Sequence, residues 1–337
     1  MGLFVKTNGR LSQPLFGGLG FIICLHRVLP KPLHSRWSGE NSMAVSPEYL
    51  EWLINFVRQQ GFELISIDEV LERINGKPSP KKFAAITLDD GWKDNLVYGT
   101  PVFEKHKVPY TIYVANCFAN GTAKMWAENL EEIVYTRAEV AFKYGETAIT
   151  KQFANDADRR EAFHKLRYFI LEANSLAEFN ARIEAVEHSA SFVDSNKDFA
   201  LSWEEIKGLA QTELCTIGAH TMNHLPLAKL SEETALTEMS LSKQEIESKT
   251  GKAVAHFAYP YGSKNECSLR EFDLAAKAGY SLAVTGRAGN VFTANEEQLM
   301  AVPRYAIGEG TREERLRYIM NGILHFSFNG FKRVVAD

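Results

Sequence analysis

What this chain lacks narrows it first. Its 337 residues hold only four cysteines, Cys24, Cys117, Cys215 and Cys267, set far apart with no CxxC pair. That spacing gives no disulfide framework, and buried free thiols in a reducing compartment are the expectation. No block of Lys or Arg stands out and the net charge is -4, so nothing points to nucleic acid. No apolar run is long enough to span a bilayer. Residues 15–25 are apolar and Gly-rich behind Lys6 and Arg10, but they end in His26-Arg27 and not in a small-residue cleavage site. A cytoplasmic protein is expected, with peripheral contact to the inner membrane through Leu3-Phe4-Val5 and Leu15-Phe16 left open. Internal repeats and low-complexity segments are also missing. What remains is 45% hydrophobic and 24% charged, a globular composition with ample core.

The chain alternates short apolar runs with helical patterns. Gly20–Leu25 reads as a core strand delivering His26 to its end. Ser46-Pro47-Glu48 starts a helix, Ser as N-cap and Pro at the first helical position, with Leu50, Leu53, Ile54 and Val57 on one face. A short strand at 63–66 and a helix capped by Asp68 follow. The apolar run 83–86 enters Thr87-Leu88-Asp89-Asp90-Gly91, then a helix is expected at 95–107 and a strand at 110–114. Residues 122–198, rich in Ala, Glu, Lys and Arg, read as several inserted helices, either a cap over substrate or a structural side-pack. Beyond them Ser202 caps a helix, and the strand 214–218 ends in Ala219-His220-Thr221-Met222-Asn223-His224. Ser231 caps a long helix stopped by Gly251. A strand at 255–258 runs into Tyr259-Pro260-Tyr261-Gly262, another lies at 281–284, and a last helix at about 312–324. Such alternation implies parallel βαβ units, whose binding groups collect where strands end.

Three strand ends carry the polar groups: His26, Asp89/Asp90 and His220/His224. Adjacent carboxylates raise each other's pKa and cost stability unless a cation shares them. The i, i+4 histidines are expected on one side of a helical turn. Two His and one Asp form a facial set with open positions, suited to Zn²⁺ or to Co²⁺, Ni²⁺ or Mn²⁺, and the second carboxylate is left as a general base.

In this order the motifs resemble the polysaccharide deacetylase (NodB-like) family. Thr87-Leu88-Asp89-Asp90-Gly91 looks like its first motif, His220-Thr221-Met222-Asn223-His224 is similar to its second, H-[ST]-x-x-H, and Phe257-Ala258-Tyr259-Pro260-Tyr261-Gly262 to its third. The similarity runs from about Gly20 to Ile307. It implies one domain over the whole chain, a distorted (β/α) barrel of about seven parallel strands with a helical insertion. It also implies a metal-dependent deacetylase of N-acetylated sugars in bacterial surface-polysaccharide or glycan biosynthesis, and the expected cytoplasmic location favours a nucleotide-sugar, lipid-linked or growing glycan as substrate. Carried over by position, Asp90, His220 and His224 bind one divalent metal. Asp89 is the base, and the Tyr261 backbone N–H steadies the oxyanion. The third motif departs from the family, with Ala258 where an Arg usually braces the catalytic Asp; Arg304 is the candidate replacement. No clean D-x-x-D-W motif is present. For the acid, an early His-Arg-Val strand resembles a branch that includes poly-N-acetylglucosamine deacetylases and points to His26; His325 in Ile323-Leu324-His325 is the other candidate. Tyr259, Pro260, Trp92 and Trp126 are expected around the sugar. The rival readings are an O-acetyl esterase or other amide hydrolase on the same site, a catalytically inactive glycan binder, and a protein merely stiffened by metal.

Overall fold

The computed structural model describes residues 17–30, 43–189 and 199–323. The N-terminal apolar pairs and His325 lie outside them. The strands are β1 (Gly20–Leu25), β2 (Glu63–Leu64), β3 (Phe83–Leu88), β4 (Tyr110–Val114), β5 (Glu139–Tyr144), β6 (Thr147–Gln152), β7 (Cys215–Ala219), β8 (His256–Ala258), β9 (Leu282–Val284), β10 (Asn290–Val291) and β11 (Tyr305–Ala306). The helices that matter for the site are α1 (Pro47–Gln59), α2 (Ile67–Ile74), α3 (Thr100–His106), α4 (Asn116–Ala119), α5 (Trp126–Thr136), α6 (Asp156–Leu171), α7 (Leu176–Ser189), α8 (Trp203–Leu209) and α9 (Glu232–Thr250).

One sheet runs β10-β1-β3-β4-β7-β8-β9, with β2 beside β3 and β11 beside β1. Its pairings are parallel except for β1 with β10. Every residue of β1, β3 and β4 is buried, the signature of a sheet covered on both faces. Alternate side chains divide between two cores. Phe21, Ile23, Leu25, Ile86 and Leu88 pack outward with α1. Ile22, Ala85, Tyr113, Ala258 and Val284 pack inward, where Ile67, Val70 and Ile74 of α2 join them. Gly218 makes room for this interior: a Cβ there would meet the Tyr113 ring at 2.4 Å.

A short stretch closes the barrel. The Val302 N–H donates to Ala283 O (3.0 Å) and the Thr285 N–H to Val302 O (2.9 Å). Tyr305 and Ala306 then pair with Ile23 and Cys24 of β1. The segment 302–306 is therefore the seam between β9 and β1, and the sheet curls into the expected distorted barrel.

Caps follow the sequence closely. Ser46 accepts from the Tyr49 N–H, Ser202 forms a capping box with Glu205, and Gly251 ends α9 with φ of 71°. Three local expectations need correction. Ser66, not Asp68, caps α2; Asp68 instead accepts from His256 Nε2 (2.8 Å) and from Thr216 Oγ1 (3.2 Å), tying α2 to β8 and β7. The helix expected at 95–107 opens with a π-helical turn at Asn95–Gly99 before α3. The insertion is not all helical, because β5 and β6 form an antiparallel hairpin with Tyr144 opposite Thr147. Val140, Phe142 and Tyr144 alternate with Glu139, Ala141 and Lys143, a period-two pattern outweighed by the helix-favouring composition around it. No helix among the described residues is long and apolar enough to cross a membrane.

Candidate active site

His26, Asp89, Asp90, His220 and His224 meet beyond the C-terminal ends of β1, β3 and β7. β3 ends at Leu88, and Asp89 and Asp90 follow, 3% and 0% exposed. Asp90 adopts φ of 75°, a left-handed turn that costs a non-glycine residue of order 1 kcal/mol and turns two consecutive carboxylates inward. The Ala115 N–H, at the end of β4, donates to Asp90 O (3.2 Å). The return from the insertion locks the same turn, since the Leu201 N–H donates to Gly91 O (2.9 Å) and the Lys93 N–H to Phe199 O (2.8 Å).

The two histidines do not lie on a helical turn. Residues 220–224 form a loop with φ of 69° at Thr221 and 54° at His224, angles that no α-helix contains. Thr221 Oγ1 accepts from the His224 N–H (3.0 Å) and holds the loop, and the rings still meet with centroids 4.9 Å apart. Glu238 of α9 braces it from behind, its carboxylate accepting from Asn223 N–H (2.8 Å) and Nδ2 (2.6 Å). His220 Nδ1 donates to Ala258 O at 2.6 Å, which leaves Nε2 as a lone pair.

That lone pair faces Asp90. His220 Nε2 lies 3.5 Å and His224 Nε2 3.3 Å from Asp90 Oδ1, and His26 Nε2 lies 4.0 Å from Oδ2. Oδ1 is buried and receives no well-formed hydrogen bond, while Oδ2 accepts from the Trp92 indole N–H (2.9 Å). Burial pushes the Asp90 carboxyl up, but His224, with His26 and His220, holds it below the usual carboxylate range. Burial also pushes His220 down to about 4, so its imidazole is neutral at pH 7. A buried carboxylate oxygen opposite two imidazole nitrogens is a donor set that fits one divalent cation.

Asp89 is treated differently. Arg304 Nη1 and Nη2 donate to its two oxygens, each at 2.7 Å, and Nε donates to Thr285 O (3.1 Å). The guanidinium is 2% exposed and comes from the barrel seam. Burial opposes ionisation of Asp89, yet the charge of Arg304, with His220 and His26, keeps its carboxyl below the ordinary range. Ala258, where the family pattern carries Arg, is buried on the inner face of β8. Cys24 was expected only as a core thiol, but its Sγ lies 3.5 Å from Asp89 Oδ2; burial pushes this thiol well up, keeping it neutral.

A cleft of about 170 Å³ opens over these groups and is lined by His26, Asp89, His220, His224, Tyr259 and Tyr261 among others. The insertion supplies one wall through Trp126, Ala127, Phe163 and Arg167. Trp126 is at once core and wall, 6% exposed and edge-on to Tyr261 at 6.4 Å. Tyr261 has φ of 62°, and its hydroxyl donates to His224 O (3.2 Å). The following Gly262 passes so close to Gly286 that a Cβ would sit 2.2 Å from its nitrogen.

Two expected sugar contacts are corrected. Trp92 is fully buried, packs against Phe118, and carries the Arg27 guanidinium over its ring at 4.3 Å, so it positions Asp90 and does not reach the cleft. Pro260 is buried in the turn before Gly262, outside the cleft lining. Tyr259 borders the cleft by its ring only, since its hydroxyl donates to Met300 O (2.8 Å). Arg167 was missed, although Arg160, His164 and Arg167 share one helical face by spacing.

A curled parallel barrel with an Asp-His-His cluster and an Arg-braced Asp on its rim defines the class. Residues 167–283, about a third of the chain, match the family described as polysaccharide deacetylase. YxkH of Bacillus subtilis (strain 168), provisionally named a polysaccharide deacetylase, is 29% identical over 110 residues, covering 33% of this chain and 37% of YxkH. The chain thus spans little more than a third of that curated relative. The Streptococcus pyogenes deacetylase PplD, solved with acetate, superposes with a TM-score of 0.58 at 18% identity, covering 89% of this chain and 97% of PplD. A de-N-acetylase from Aggregatibacter actinomycetemcomitans gives 0.57 at 15% identity, covering 89% and 98%. Residues 167–283 are thus similar to the polysaccharide deacetylase family, and the solved deacetylases share the fold of the chain.

Proposed function

We propose that this protein is a metal-dependent deacetylase that hydrolyses the acetamide of an N-acetylated sugar. The observation that carries the reading is the buried Asp90 oxygen without a hydrogen-bond donor, opposite two imidazole nitrogens beside a second, ionised carboxylate. Asp90, His220 and His224 would hold the ion, with Zn²⁺ the first choice for this mixed nitrogen and oxygen set. When bound, a divalent ion supplies Lewis-acid chemistry, acidifying water and polarising the acetyl carbonyl.

The chain's own residues account for the proton traffic. Asp89 takes a proton from the attacking water. Its lowered pKa makes it a weak but permanently ionised base, held in one orientation by Arg304. The Tyr261 backbone N–H is assigned to the oxyanion. His26, at the end of β1 and lining the cleft, delivers a proton to the departing amine, which leaves poorly as an anion. The names of the A. actinomycetemcomitans de-N-acetylase and of PplD support deacetylation of this kind.

The test is acetate release from N-acetylhexosamines, short N-acetylglucosamine oligomers and an O-acetylated control, on metal-stripped protein before and after Zn²⁺ or Co²⁺ is restored. Release only with metal, and only from the N-acetyl compounds, is expected. Release from the O-acetyl compound alone would instead make it an esterase. A tightly bound metal without any turnover would make it a glycan binder.

A further inference from the structure

The insertion brings into the cleft a cation, Arg167, that no acidic side chain among the described residues pairs with. Arg167 on α6 lines the cleft with Phe163 and Trp126, its guanidinium carbon 5.6 Å from the centre of the Tyr261 ring. That ring lies 4.8 Å from the His224 imidazole, so a single aromatic ring separates Arg167 from the proposed metal ligand. Several cations elsewhere in the insertion are paired, Lys124 with Glu184, Lys151 and Lys165 with Glu161, Arg182 with Glu178, and Arg159 is held by the Tyr135 and Arg137 carbonyl oxygens. Among the described residues, neither Arg167 nor Arg160 makes an ion pair. The stacking on Tyr261 accounts for the orientation of Arg167. It leaves the half-buried guanidinium without a carboxylate partner among the described residues, with its N–H donors at the cleft.

Arg160, His164 and Arg167 follow each other at i, i+4 and i+7 along α6, a basic track that ends in the cleft. His164 registers that field: burial, then the positive charges of Arg167 and Arg160, push its imidazole below the ordinary range, with no carboxylate acting against them. A guanidinium presents paired N–H donors matched to the oxygens of a carboxylate or phosphate.

We infer that Arg167 is the anion-recognising residue of the cleft and that the substrate carries a negatively charged group, a phosphate or a carboxylate, beside its N-acetylated sugar. The sugar part rests on the deacetylase reading; the anion part rests on the cleft alone.

The experiment uses the metal-loaded full chain and three probes: N-acetylglucosamine 1-phosphate, a disaccharide of N-acetylglucosamine with glucuronate, and neutral N,N′-diacetylchitobiose. Affinity is read by calorimetry and acetate release in parallel. At low ionic strength at least one anionic probe should bind about tenfold tighter than the neutral one, the scale of a charge-assisted hydrogen bond. Arg167→Ala should remove about that preference, Arg167→Lys should keep part of it, and added salt should erode it. The stronger of the two anionic probes tells phosphate from carboxylate. Equal affinity for charged and neutral probes, or an unchanged preference in Arg167→Ala, overturns the inference. Arg167-dependent anion binding with no acetate released from any probe leaves it standing and removes the deacetylase reading instead.

Discussion

The two sides of the rim handle a buried carboxylate in opposite ways. On the seam side Asp89 is saturated, with both oxygens bonded to Arg304. On the β7 side its neighbour Asp90 keeps one oxygen without a donor, facing His220 and His224. Both are held below the ordinary carboxylate range, one by a fixed cation, the other by groups whose charge depends on pH. A buried charge must be answered by something. Where the chain supplies the answer itself, the carboxylate is free for proton transfer; where it does not, the site is open to an external cation.

The strongest way to separate the two sides is to neutralise each. Asp89→Asn should keep the metal and lower turnover by about 10²–10⁴, the usual worth of a general base. Asp90→Asn should lose the metal itself, read by elemental analysis after dialysis. Similar metal content and activity in both variants would dissolve the contrast. Next in size, Arg304→Met leaves Asp89 buried and unpaired. It should cost about 3–5 kcal/mol in denaturant unfolding. Burial would then act on Asp89 without its main opponent, so the acidic limb of the rate profile should move to higher pH. Adding Asp89→Asn to Arg304→Met should recover part of the stability, because the unpaired charge is gone.

The β7 side predicts a pH dependence of its own. His220 is held to about 4 against an ordinary 6.5, so between those values the unfolded chain binds a proton that the native chain refuses. Stability of the metal-free protein should therefore rise with pH through that window and fall as pH drops through it, by at most roughly 3 kcal/mol from this group. Thermal melts at pH 7 and pH 4.5, with and without Zn²⁺, measure it, and a flat metal-free profile would contradict the burial of a neutral His220. The smallest effect expected is that of Trp92→Phe, which removes one donor from Asp90 Oδ2 and should weaken the metal about tenfold in chelator competition, with the fold intact. Undiminished affinity would mean that the left-handed turn at Asp90 alone orients the carboxylate.

Much of this was local enough to be read from residue order. Ser46, Ser202 and Ser231 cap helices because a side-chain oxygen satisfies an N–H three residues ahead, a matter of neighbours only. The strand–helix alternation and the strand-end placement of His26, Asp89, Asp90, His220 and His224 were equally legible, since a buried parallel strand is a short apolar run and its end is where polarity begins. The helical turn expected for His220 and His224 failed because i, i+4 spacing says nothing of the positive φ angles that a loop imposes. The hairpin Glu139–Tyr144 with Thr147–Gln152 was hidden by helix-favouring neighbours.

Residue order alone marks which groups could do chemistry: two adjacent acids, a histidine pair, an early histidine and a late arginine, each on the edge of an apolar run. How they divide the work follows from the folded arrangement. Arg304 reaches Asp89 because the seam 302–306 crosses from β9 to β1, a pairing between segments hundreds of residues apart. Trp92 turned inward to hold Asp90, and Arg167 outward into the cleft, because the insertion packs against the rim. Those outcomes depend on long-range closure and on which charges are left unanswered when it is complete, quantities that no stretch of residues carries alone.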